Sequence, residues 1–163
     1  MSEAPEGRCF EDYTAGEVIR HPLGRTVTET DNIWFTNLTL NMNPLHFDEH
    51  YSSQTQFGRP LMNSCLTLAL VTGISTIDLR HAFANLGWDE VRLPAPVFNG
   101  DTIYAESEVL ELREPRSRPE VGIVKVRTRG YKQDGTVVIT FTRTIMIYKR
   151  AHVPRIPRPV AKE

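Results

Sequence analysis

Chemistry-bearing side chains concentrate in one short stretch, Asn41-Met42-Asn43-Pro44-Leu45-His46, and in the segment that follows it. An imidazole titrates near neutrality, so His46 is a side chain that can both accept and release a proton there. The amides of Asn41 and Asn43 can orient a water or a substrate by hydrogen bonding, but an amide cannot take a proton. Other readings of the same residues stand beside this one. His46, after a proline turn, could hold a loop carbonyl, and Asn41 and Asn43 could be turn formers. His46, Asp48, Glu49 and His50 could ligate a metal, His46 and His50 being four apart, but Pro44-Leu45 before His46 argues against a shared helical face, and no metal is expected.

The elements that must position these residues divide the chain near His81 into a helical first half and a strand-rich second half. Thr28 or Thr30 can cap a helix through 32–38, with Glu29 and Asp31 at its positive end. Asn43-Pro44 forces a turn, and Asp48-Glu49-His50-Tyr51 can begin a short helical turn. Pro60 opens an apolar run over 61–79, in which Leu61, Cys65, Leu68, Ala69 and Thr72 recur at helical spacing while apolar residues also fill the other faces. Such a helix must be surrounded, which places it at the centre of the fold under a wrapped sheet. Strands are expected at 90–93, 102–112, 122–131 and 136–148. Alternation in Val124-Lys125-Val126-Arg127-Thr128-Arg129 indicates an antiparallel sheet with one solvent face, and Asp134-Gly135 indicates a tight hairpin with both turn residues at positive φ. Residues 113–120 read as a loop. Trp34 and Trp88 read as core residues. Residues 1–150 form one α+β domain, and 151–163, with Pro154, Pro157 and Pro159, form an extended tail that can pack on a partner subunit.

The chain has 163 residues, 40% hydrophobic and 24% charged, with a formal net charge of -1, which gives no footing for disorder or for a nucleic-acid partner. Glu3 and Glu6 stand where a secretory leader needs a basic start and an apolar stretch. The apolar run is broken by Asn63, Ser64, Thr67, Thr72, Ser75, Thr76 and Asp78, so no membrane span is expected. Cys9 and Cys65 do not suggest a disulfide framework, and a cytoplasmic location is expected.

The stretch at 41–46, followed by Phe57-Gly58-Arg59-Pro60 and by Arg92-Leu93-Pro94-Ala95-Pro96-Val97-Phe98-Asn99-Gly100-Asp101, resembles the MaoC-like (R)-specific enoyl-CoA hydratases, whose motif runs Asp-x-Asn-Pro-x-His and then Phe-x-Arg-Pro. The likeness spans roughly 28–150. It implies a hot-dog fold, a long helix wrapped by an antiparallel sheet, assembled as a homodimer or a dimer of dimers, with an acyl-CoA bound between subunits and no cofactor beyond that thioester. It implies that His46 is the acid/base for adding water to a 2-enoyl-CoA, or for the reverse dehydration of a 3-hydroxyacyl-CoA, and that the Ser64 N–H holds the thioester oxyanion at the start of the central helix. The family's aspartate is Asn41 here, its His-Gly at the helix start is Asn63-Ser64, and these departures resemble the subgroup acting on mesaconyl-CoA and itaconyl-CoA, short branched dicarboxylic thioesters. On that resemblance Asn41 positions water or substrate, Asn43 lies at the substrate, and Asn63, Ser64 and Arg59 receive the acyl carboxylate. Asp48 and Glu49 are substitute carboxylates for the missing aspartate. Arg118, with Arg113 and Arg116, meets the CoA phosphates. Two other functions remain open. One is a thioesterase, for which Asp78 is the one acidic residue in the apolar run, and the other is a non-catalytic acyl-CoA-binding subunit.

Overall fold

The computed structural model describes residues 7–77, 79–157 and 159–161; the expectations for residues 1–6 and for Asp78 lie outside them. The first long helix, α1 (Glu29–Leu38), is capped by Thr28, whose hydroxyl accepts the Asp31 N–H at 3.3 Å while the Asp31 carboxylate accepts the Thr28 N–H at 2.8 Å. This reciprocal box satisfies donors that a helix start leaves without partners. Arg25 donates to the same carboxylate at 2.6 and 3.0 Å, and that bond, with further help from Thr28, brings the Asp31 carboxyl down to about 2. At the other end Leu40 takes a left-handed φ of 54°, the geometry that turns the chain out of the helix. The short helix α2 (Glu49–Ser53) follows, capped by Asp48 through the Tyr51 N–H at 2.9 Å.

The apolar run forms α3 (Ser64–Ile74), eleven residues and shorter at both ends than its composition suggests. Leu61 is bridged to Phe98 in extended conformation, so the helix begins after Asn63 and not at Pro60. Strands β1 (Val18–Arg20), β2 (Arg25–Thr26), β3 (Ala82–Arg92), β4 (Thr102–Arg113), β5 (Val121–Lys132) and β6 (Val137–Tyr148) make an antiparallel sheet of order β1-β4-β5-β6-β3, with β2 on β4. The three long central and hairpin strands lie close to their expected spans. Strand β3 corrects the expectation of a strand at 90–93 alone. Its pairing to β6 slips at three places and Glu90 sits at φ 53°, so no period-two pattern survives to be read. The hairpin between β5 and β6 is also corrected, since Gly135 takes φ 85° but Asp134 is not at positive φ; the Asp134 carboxylate instead accepts the Thr136 N–H at 2.9 Å. Residues 114–120 connect β4 to β5 without regular structure, and beyond a turn at Arg150–His152 the described residues, 153–157 and 159–161, are coil and mostly exposed.

Helix α3 lies on the sheet through Thr67 and Val71, its buried residues, against Ile139, Phe141 and Val138. Gly130 of β5 makes this approach possible, because a Cβ there would stand 2.5 Å from Val71 Cγ2. A second core, with Phe10 and Tyr13 over Val124, Val126 and Ile145, closes the other end. The sheet does not enclose α3. Ser64, Cys65, Ala69 and Gly73 are exposed on the side away from it, so the sheet that wraps the helix covers one of its faces. The tryptophans are not core either: Trp34 is 67% exposed and Trp88, on β3, is 42% exposed, with its indole N–H donating to Thr72 at 3.2 Å.

Candidate active site

The motif folds as two successive side-chain-capped turns. Asn41 Oδ1 accepts the Asn43 N–H at 3.0 Å, and Asn43 Oδ1 accepts the Leu45 N–H at 3.1 Å, starting the 3-10 turn Pro44–His46. Asparagine does this readily because its short side chain reaches the backbone two residues on. Both carbonyl oxygens are thereby used in shaping the loop. His46, 8% exposed at the end of that turn, makes a 2.8 Å hydrogen bond from Nδ1 to the carbonyl of Leu61. A carbonyl can only accept, so Nδ1 carries the proton, and in the neutral ring Nε2 is the nitrogen with the lone pair.

Leu61 and Met62 lead into the start of α3, and together with Phe57, Ser64, Thr67 and residues 93–97 they line a cleft of about 240 Å³. That is below the roughly 300–1,000 Å³ of sites that engulf larger ligands. At its helix end Asn63 is buried, and its side chain accepts the Cys65 N–H at 2.9 Å. Among the described residues the Ser64 N–H has no protein acceptor, and it sits in the first turn of α3, where the aligned peptide dipoles favour negative charge. The cleft thus carries at its helix start an amide donor suited to an oxyanion, and the His46 ring is tied to its wall through the Leu61 carbonyl.

Asn32 of α1 was not singled out from the sequence. It is 2% exposed, donates to the His46 carbonyl at 2.6 Å and to the Leu61 carbonyl at 3.1 Å, and accepts the Asn63 N–H at 2.8 Å. Its one sequence signal is a weak helix former placed early in a helix.

The remaining candidates lie elsewhere. Arg59 packs its guanidinium 4.1 Å above the Phe98 ring and lines a separate cleft of about 160 Å³ with Glu29, Glu49 and Asn99. Asp48 is occupied in capping α2. The ring of His50 meets the Gln54 amide at 3.2 Å on the exposed face of α2. Arg118 pairs with Glu120 at 3.8 Å and lies 5.1 Å over Phe83, near the start of β3. The cleft wall at 93–97 follows the far end of that strand, and at about 3.3 Å per residue the two are roughly 30 Å apart within one chain. Arg118 thus lies towards the opposite end of β3 from this cleft.

A helix packed on one face of a long-stranded antiparallel sheet, with the site at the helix start, is a hot-dog domain. A Mycobacterium tuberculosis protein described as having a double hotdog fold superposes on it with a TM-score of 0.80 at 24% identity, over 88% of this chain and 44% of that one. A MaoC domain protein dehydratase from Chloroflexus aurantiacus superposes with a TM-score of 0.86 at 30% identity, over 100% of this chain and 46% of that one. The family model described as mesaconyl-CoA hydratase matches residues 2–155, and the chain belongs to that family. It is 35% identical to the mesaconyl-CoA hydratase of Cereibacter sphaeroides over 158 residues, which are 96% of this chain and 46% of that protein. The chain thus spans about half the length of this curated relative.

Proposed function

We propose that the protein is a hydro-lyase that adds water to the double bond of a short, branched dicarboxylic 2-enoyl-CoA, mesaconyl-CoA first, and runs the reverse dehydration. The observation that carries this reading is an open helix-start amide in one small cleft, with a singly oriented imidazole bonded to the Leu61 carbonyl of its wall. In the forward direction His46 Nε2 takes a proton from water as the water oxygen bonds to C3 of the acyl group. The electron pair of the C2–C3 bond moves into the thioester, and the enolate oxygen is held by the Ser64 N–H. The imidazolium then returns the proton to C2, leaving the 3-hydroxyacyl thioester and neutral His46. One base serves both transfers, as it must when position 41 is an amide and Asn41 Oδ1 is engaged in its turn. No step passes through Asn41, Asn43 or Arg59, and the scheme needs no cofactor beyond the thioester. Among the described residues no helix is long and apolar enough to cross a membrane.

The active form in this reading is a homodimer joined along β3. That strand pairs on one side with β6 and leaves its other edge open, with Phe83, Leu86, Trp88 and Val91 exposed beside the open face of α3. Long apolar edges of this kind associate. Antiparallel pairing of two copies about Gly87 sets Phe83 opposite Val91 and brings Arg118 of one copy towards the cleft of the other. There its fork suits the CoA phosphates.

Hydration of mesaconyl-CoA, itaconyl-CoA and crotonyl-CoA, followed by loss of enoyl-thioester absorbance and by mass spectrometry, tests the reading. Wild type should turn over the dicarboxylic thioesters, and His46→Ala should lose on the order of 100-fold or more. A folded wild type that binds CoA thioesters without hydrating any of them would overturn it in favour of an acyl-CoA-binding subunit, and release of free CoA would favour a thioesterase.

A further inference from the structure

The buried amide of Asn32 ties together three pieces of backbone that the chemistry needs in fixed relation. Its Nδ2 holds the carbonyl of His46 itself and the carbonyl of Leu61, and its Oδ1 holds the N–H of Asn63, the residue before Ser64. The Leu61 carbonyl also receives the His46 Nδ1–H at 2.8 Å, so one oxygen is shared by the imidazole and by Asn32. We propose that Asn32 is the positioning residue of this site. It sets the separation of the His46 Nε2 from the Ser64 N–H, and it aims the carbonyl that keeps the proton of the neutral imidazole on Nδ1. The inference rests on the His46 and Ser64 roles given above.

The side-chain type follows from the bonds. The position requires two donors and one acceptor on a short head, which among the side chains of this size only an amide supplies. The isosteric carboxylate would aim oxygens at two carbonyl oxygens now 2.6 and 3.1 Å away, and would release both. A side chain serving the fold alone would lower stability when replaced and leave the chemistry of the folded molecules as it was. A positioning role instead lowers kcat in folded protein, because small misplacement of a reacting group is costly, while KM, set by the cleft, changes little.

The test combines kinetics on mesaconyl-CoA with long-range ¹⁵N NMR of the histidine rings, assigned by comparison with His46→Ala. In wild type without substrate the neutral His46 ring is expected as the Nδ1–H tautomer. Asn32→Asp is expected to populate the Nε2–H tautomer and to lose on the order of 100-fold in kcat. A wild-type ring in the Nε2–H form overturns the proposal, whatever the variant does. So does a folded Asn32→Asp with wild-type kcat and an unaltered tautomer. If Asn32→Asp does not fold, Asn32→Ser, which retains one donor and one acceptor, is expected to show an intermediate loss in kcat with KM preserved, and wild-type kcat in it overturns the proposal. Wild-type protein that hydrates no thioester removes the hydratase reading, and the tautomer measurement then still decides this one.

Discussion

Replacing Gly130 by alanine tests how α3 is held on the sheet, and with it the placement of Ser64. The new Cβ would stand 2.5 Å from Val71 Cγ2 and 2.8 Å from Ile139 Cγ2. Carbon atoms in contact sit about 3.5–4.0 Å apart, so α3 must lift by roughly 1 Å or Val71 must leave its rotamer. Overpacking of this size costs about 1–3 kcal/mol, which for a domain of this length lowers Tm by roughly 2–4 °C per kcal/mol. Val71→Ala alone removes two methyl groups from a fully buried side chain and should cost about 2–3 kcal/mol, transfer and cavity together. The double variant removes the Val71 γ-carbons, so the added methyl fills part of the space they leave, while Ile139 Cγ2 still stands 2.8 Å from it. It should therefore lose less than the sum of the two single changes, a coupling of about 1 kcal/mol against simple addition. Urea melts followed by circular dichroism measure all three. Additivity within about 0.5 kcal/mol, or a Gly130→Ala melt indistinguishable from wild type, would refute the claim that this glycine seats the helix.

Three further outcomes are expected. Asn63→Ala removes the cap on α3 and should cost about 1 kcal/mol in stability, read by thermal melting, with a fall in kcat because the Ser64 N–H loses its fixed direction. Asp31 has a folded-state value of about 2 against 3.8, so its contribution is complete above about pH 5 and is lost as pH falls through 2. Screening at the half-exposed Arg25 leaves it about 1 kcal/mol, and Asp31→Asn should remove that much at pH 7 and little near pH 2 in paired urea melts. Trp88→Lys on the open edge of β3 should shift the species seen by light scattering on a sizing column from dimer to monomer, with loss of turnover if Arg118 acts across the interface; an unchanged dimer would place the contact elsewhere.

What could be read without a structure was what depends on neighbours in the chain. The cap at Thr28, the turns at Asn43-Pro44 and Asp48, the loop at 113–120 and the strands β4 to β6 rest on spacing within a few residues or on period-two alternation, and these are local physics. The stretch 41–46 with His46 was legible for the same reason, since its residues occur together in one turn. Three things were decided only in space. Strand β3 is bulged and held from one side, so its residues follow no period and its span appears only through pairing with β6. The apolar run could be read as buried, but the chain alone has no sheet on its outer side, and what is covered within one copy depends on the layers that the fold brings together. Arg59 and Arg118 have the right charge and were placed by chemistry alone, whereas the fold turns one onto Phe98 and carries the other to the opposite end of β3. Asn32 is the clearest case. It lies 14 residues from His46 and 31 from Asn63, and its three hydrogen bonds exist only because the fold brings α1 beside the turn at His46 and the segment that leads into α3. A buried amide on a mostly exposed helix leaves no periodic mark, and its role is a property of the closed structure.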